Sequence, residues 1–133
     1  MKKVLVIDGQ GGKMGALLVK KIKEASPDTE VRAVGTNSLA TSAMLKAGAD
    51  MGATGENPAV RAAMAVDVIT GPIGIISANA ILGEVTPKMA EAVGSADAEK
   101  VLIPVSNCSI IVAGVKDAKL ADYVDAAVKE ILK

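Results

Sequence analysis

The sequence predicts an α/β fold of three layers, a mostly parallel sheet between helices, with an antiparallel hairpin at one side. Three observations predict it. Short apolar runs alternate with stretches of helical periodicity, the order of a doubly wound sheet. The runs are continuously apolar, as strands buried on both faces are. The connections are short and carry Gly, Pro, Asn and Ser.

Val4-Leu5-Val6-Ile7 is the first strand, and it runs into Gly9-Gln10-Gly11-Gly12-Lys13-Met14-Gly15. Four glycines in these seven residues let the backbone turn sharply and bring its N–H groups close to a ligand. A helix starting at about Gly12 and covering Lys13 to Ala25 follows, with Met14, Leu17, Leu18 and Ile22 at helical spacing, and Ser26-Pro27-Asp28 ends it. Glu30 to Gly35 is the second strand. Ser38 to Ala47 is helical, with Asn37 or Ser38 as N-cap and Gly48 as the stop. Asp50 to Ala53 reads as a short strand in a glycine-rich setting.

Asn57-Pro58 marks a helix start, a side-chain cap with proline at the first helical position, and that helix runs to about Ala65. Val66 to Thr70 is a strand, interrupted by Gly71-Pro72-Ile73-Gly74. Ile75 to Leu82 reads as helical and stops at Gly83. Thr86-Pro87 repeats the cap-plus-proline device for a helix ending at Gly94. Lys100 to Val105 and Ile110 to Val115 are apolar runs separated by Ser106-Asn107-Cys108-Ser109. Four residues cannot hold a parallel crossover, so these two runs are expected to pair as an antiparallel hairpin. Asp117 is expected to cap a final helix carrying Leu120, Val124, Val128 and Ile131.

A chain of 133 residues is expected to form one domain, 1–133, with no room for a separate substrate domain. Half the residues are hydrophobic, yet Tyr123 is the one aromatic, so the core must be built from Val, Ile, Leu, Met and Ala. The formal net charge is zero, which removes the counterion-release drive toward nucleic acid, and there is no aromatic platform for bases. Cys108 is the lone cysteine and histidine is absent, so nucleophile–histidine pairs and the common zinc sites are out of reach. The apolar stretch after Met1-Lys2-Lys3 is too short for a signal peptide or a membrane span, and a cytoplasmic protein is the expectation.

In a doubly wound sheet, ligands bind outside the carboxyl ends of the strands, at the topological switch point. Those ends read Asp8-Gly9, Gly35-Thr36-Asn37, Thr70-Gly71-Pro72 and Val105-Ser106-Asn107-Cys108, all small, polar or glycine-rich. A helix starting at Gly12 aims its unpaired N–H groups and positive end at an anion. The candidate ligand-binding residues are Asp8, Gly9, Gln10, Gly11, Gly12, Lys13, Met14, Thr36, Asn37, Ser38, Gly71, Pro72 and Asn107. No metal-binding set is expected. The bland reading is that strand-to-helix turns use Gly, Asn, Ser and Thr for capping alone. Asp8 at a strand end more often caps the next turn than holds Mg²⁺. Glu56 and Glu84, each before a helix start, suit the helix dipole. Cys108, without a histidine to activate it, reads as an inert thiol.

By spacing, Gly9, Gly12 and Gly15 form G-x-x-G-x-x-G, not the usual G-x-G-x-x-G dinucleotide fingerprint. With the Met14-Gly15 pair, the stretch from Val4 to Leu18 resembles the nucleotide-binding start of dihydrodipicolinate reductases and similar NAD(P)-dependent enzymes. That resemblance implies a Rossmann-like domain with pyrophosphate at Gln10 to Met14 and Lys13 near a phosphate. Two features depart from that family. Asp8 puts a carboxylate before the first glycine, where it repels a diphosphate unless it is turned away, bonded to loop N–H groups or bridged by a metal ion. The second strand ends in Gly35-Thr36-Asn37, with no acid for ribose hydroxyls and no Arg for a 2′-phosphate.

Over its whole length the chain is similar to a family of small bacterial proteins known only as a domain of unknown function. The resemblance rests on Ile7-Asp8-Gly9-Gln10-Gly11-Gly12, Val34-Gly35-Thr36-Asn37, Gly52-Ala53-Thr54-Gly55-Glu56-Asn57, Gly71-Pro72-Ile73-Gly74 and Leu102-Ile103-Pro104-Val105.

Three functions are compatible with these residues. The first is binding of a small phosphorylated ligand, NAD(P) or another nucleotide, at the glycine turn. The second is metal-assisted chemistry on a phosphorylated metabolite, with Asp8 holding Mg²⁺. The third is a structural or interaction module without ligand, Met64, Met89 and neighbouring alanines serving a homodimer.

Overall fold

Val4, Leu5, Val6 and Ile7 are all buried, so the first strand needs cover on both faces and takes the centre of the sheet. The computed structural model of the chain describes residues 1–105 and 109–133. β1 (Lys3–Asp8), β2 (Glu30–Gly35), β3 (Met51–Thr54), β4 (Val68–Pro72) and β5 (Glu99–Ile103) form one sheet in the order β3-β2-β1-β4-β5. Each neighbouring pair is parallel, with Val6 opposite Ala33 on one side and Thr70 on the other.

The chain steps outward from β1 to β3 through α1 (Lys13–Ala25) and α2 (Ser38–Lys46), then returns to β4 through α3 (Glu56–Ala63). Reversing the direction of stepping moves right-handed crossovers to the other face. Accordingly, Val4, Val6, Val31 and Ala33 pack with Leu18, Ile22 and Met44 of α1 and α2. Leu5, Ile7 and Ile69 pack with Ala59 of α3 and with Met89 and Val93 of α4 (Pro87–Ser95) on the opposite face. α5 (Leu120–Ile131) comes back to the first face through Val124, Val128 and Ile131. The switch point lies between the carboxyl ends of β1 and β4.

Two expected caps are present. Asn37 accepts from the Ala40 N–H at 2.9 Å, and Thr86 accepts from the Met89 N–H at 3.2 Å with Pro87 opening the helix. Two others are corrected. α3 begins at Glu56 with Gly55 as N-cap, so Asn57 and Pro58 lie inside its first turn, where proline lacks only an orphan donor. α5 starts at Leu120 after Lys119, and Asp117 does not cap it.

The expected helix from Ile75 to Leu82 is also corrected. Only a 3-10 turn over Ile73–Ile76 forms, and then Asn79, Ile81 and Leu82 take φ of 67°, 56° and 53°, which no right-handed helix holds. The segment folds on itself instead. The Asn79 N–H donates to the Val85 carbonyl at 2.7 Å, which buries Ala80 and Val85.

The expected antiparallel hairpin is not formed. Ile110 to Val115 makes no strand, Ile111 is 93% exposed, and among the described residues β5 pairs with β4 alone. Gly114, at φ 85°, bends the run, and the Val115 N–H closes a turn onto Val112 at 3.3 Å. Strand propensity without a surface to pack on does not make a strand. The expected bend, residues 106–108, lies outside the described residues.

Candidate functional site

Ile7 carries the chain to the carboxyl edge of the sheet, and Asp8 turns back into the fold. Its carboxylate is 6% exposed; Oδ1 accepts from the Gly9 N–H at 2.8 Å and Oδ2 from the Gly15 N–H at 2.6 Å. Both oxygens therefore brace the glycine turn from below, the second of the dispositions open to this acid. Burial pushes the Asp8 carboxyl above its ordinary 3.8; the bonds from Gly15 and Gly9 act against that, and the charge of Glu84 acts with it.

The glycines divide by task. A Cβ on Gly12, whose φ is 74°, would lie 2.7 Å from the Ala40 Cα, and one on Gly15 would lie 2.6 Å from the Met44 Sδ. These two let α1 dock against α2. A Cβ on Gly11 would meet nothing within 4 Å. Gly11 instead opens onto a cleft of about 230 Å³ lined by Asp8 to Met14, Pro72, Ile81, Val105 and Leu120.

The donors of the turn divide as well. The Gly9 and Gly15 N–H groups serve Asp8, Gly12 donates to the Gly9 carbonyl at 3.0 Å, and Gln10 donates to Glu84 Oε1 at 2.9 Å. Among the described residues, the N–H groups of Gly11, Lys13 and Met14 make no hydrogen bond, and Lys13 is exposed beside them. Unpaired donors at a helix start, with a cation alongside, form an anion-binding arrangement.

Glu84 is bonded to the glycine turn, a placement that the sequence did not reveal. Its Oε1 accepts from the Thr36 hydroxyl at 2.5 Å and from Asn37 Nδ2 at 2.9 Å, besides Gln10. One carboxylate thus joins the end of β2 to the glycine turn. Bonds from Thr36, Gln10 and Asn37 hold it below its ordinary 4.5. The loop that delivers it keeps Ile81 and Leu82 left-handed, at about 1–2 kcal/mol each. Strain of this kind collects at functional sites.

Of the expected site residues, Asp8 to Met14 and Pro72 line the cleft. Thr36 and Asn37 lie outside its lining, as Glu84 does; they are tied to Gln10 through Glu84 Oε1 and by the bond that Asn37 Nδ2 donates to the Gln10 carbonyl at 2.9 Å. Ser38 is exposed at the start of α2 and does not line it. Gly71 does not line it either: a Cβ there would collide with the Ile7 carbonyl, so this glycine serves the contact between β4 and β1. Asn107, like Cys108, lies outside the described residues. A larger hollow of about 520 Å³ sits between α3 and α4, lined by Val66 and Ala96 to Ala98 at the amino ends of β4 and β5. That is the edge opposite to the one where such sheets bind ligands. Among the described residues, no group of three or more potential ligands is placed to hold a metal ion, and no helix is long and apolar enough to cross a membrane.

A family model described as Domain of unknown function (DUF3842) matches residues 3–133. The chain belongs to that family. No curated protein matches it. Among solved structures it is similar to the dodecameric FMN-dependent Ubix-like decarboxylase from Escherichia coli O157:H7. The identity is 16% over 98% of this chain and 76% of that one, with a TM-score of 0.49.

Proposed function

We propose that the protein binds a phosphorylated small molecule, of nucleotide type, at the glycine turn after β1. The observation that carries the reading is the set of N–H groups on Gly11, Lys13 and Met14, unpaired among the described residues and bordering the cleft at the β1–β4 switch point. The phosphate lies against these donors, with the Lys13 ammonium adding charge. Asp8 stiffens the turn, its two oxygens accepting from the Gly9 and Gly15 N–H groups.

A thermal-shift series with NAD, NADP, FMN, ATP, AMP, coenzyme A and sugar phosphates, with and without Mg²⁺, tests the reading. A ligand at about a hundredfold its dissociation constant adds ~2.7 kcal/mol, a shift of several degrees at this chain length. Lys13→Glu, at an exposed position, removes that shift without lowering the unliganded midpoint. A panel in which no phosphorylated compound stabilises the protein overturns the proposal.

A further inference from the structure

We infer that Glu84 is the group that recognises a ribose diol, so that the ligand is a ribose phosphate with both its 2′- and 3′-hydroxyls free. This rests on the glycine turn as the phosphate site and names what lies beside the phosphate. In sheets of this order an acid at the end of β2 takes the ribose hydroxyls. Here β2 ends in Gly35-Thr36-Asn37, and a carboxylate is brought to that place from the loop after β4.

The placement is built from both sides. The turn donates through Gln10, β2 donates through Thr36 and Asn37, and all three bonds fall on Oε1. Oε2 makes no hydrogen bond among the described residues, and a carboxylate oxygen accepts hydroxyl donors readily. Gly9 is needed at this spot because a Cβ would lie 2.7 Å from Thr36 Oγ1 and 2.8 Å from Glu84 Oε1.

Charge then sorts the ligand along the turn. An anion over Gln10 takes that N–H away from phosphate and repels phosphate from this end. The donors of Gly11, Lys13 and Met14, unpaired among the described residues, sit at the other end. A molecule matching both ends carries phosphate at one and neutral hydroxyl donors at the other. A 2′-phosphate would meet Glu84 as like charge, so AMP- or NAD-type ligands are favoured over NADP-type ones.

Calorimetric titration of the full chain with AMP, 2′-deoxyAMP and inorganic phosphate tests this, on the wild type, Glu84→Gln and Glu84→Ala. The wild type binds AMP about tenfold more tightly than 2′-deoxyAMP, the worth of one hydrogen bond to a charged group. In both variants that ratio falls to near one, while inorganic phosphate binds no more weakly. The inference is overturned if AMP binds the wild type without preference over the deoxy compound, or if the preference survives both substitutions. It is also overturned if Glu84→Gln tightens all three probes equally, which marks Glu84 as an internal anion blocking the turn. Glu84→Gln keeps an acceptor for Gln10 and Thr36 and carries the test if Glu84→Ala does not fold. If none of the three probes binds the wild type, this inference falls, and the phosphate reading is decided separately by the thermal-shift panel.

Discussion

Gly11 and Gly12 are neighbours with different reasons to be glycine. A side chain at Gly12 needs a left-handed φ of 74° and drives its Cβ into the Ala40 backbone. Gly12→Ala is therefore expected to cost about 2–4 kcal/mol, conformational strain plus overpacking. Gly11→Ala has open space and no positive φ, and is expected to stay within about 0.5 kcal/mol of wild type. Urea denaturation of both variants decides; equal midpoints would mean that the docking of α1 on α2 does not depend on Gly12. The run of glycines was visible in the sequence, but which of them faces a ligand and which faces a helix was not. That division comes from Ala40 and Met44, about thirty residues further along the chain. Asp8 is similar: a turn-bracing role was one of its open readings, and the partner that decides it, Gly15, sits in the first turn of α1.

The loop between the 3-10 turn and α4 is where periodicity misled. Ile75 to Leu82 has the apolar content of a helix, yet the segment is held by Val85, Ala80 and the three bonds to Glu84. Because the Glu84 carboxyl is held below 4.5 when folded, its contribution to stability is fully present above that pH and is lost as pH falls through the folded value. Asp50, held below 3.8 chiefly by the Val31 N–H, behaves in the same sense at lower pH. Asp8 has the opposite sign: its ionisation costs stability as pH rises through 3.8 toward its raised value, and acidification relieves that cost. The stability difference between wild type and Glu84→Gln isolates the loop. It is expected to be constant above pH 4.5 and to shrink below it. A difference independent of pH down to full protonation would show that the carboxylate charge does not hold the loop. Nothing around Glu84 in the sequence signals this role, since its partners lie 48 and 74 residues away.

At the scale of the whole molecule, the sheet has two open edges, and the apolar segment after β5 covers neither by strand pairing among the described residues. Ile111→Lys tests this directly. At 93% exposure the change is expected to leave stability within about 0.5 kcal/mol of wild type in thermal melts. A loss of several kcal/mol would mean that the segment is packed after all. The sequence alone determined the α/β class, the two-faced burial of Val4 to Ile7 and most strand and helix positions. Each follows from local periodicity and from caps within a few residues. The tertiary structure alone decided the strand order, the all-parallel sheet, the fate of Ile110 to Val115 and the arrival of Glu84 at the glycine turn. These depend on groups far apart in the chain. A local pattern says that a segment can be a strand or a helix, while the packing surface and hydrogen-bond partners available to it select what it becomes.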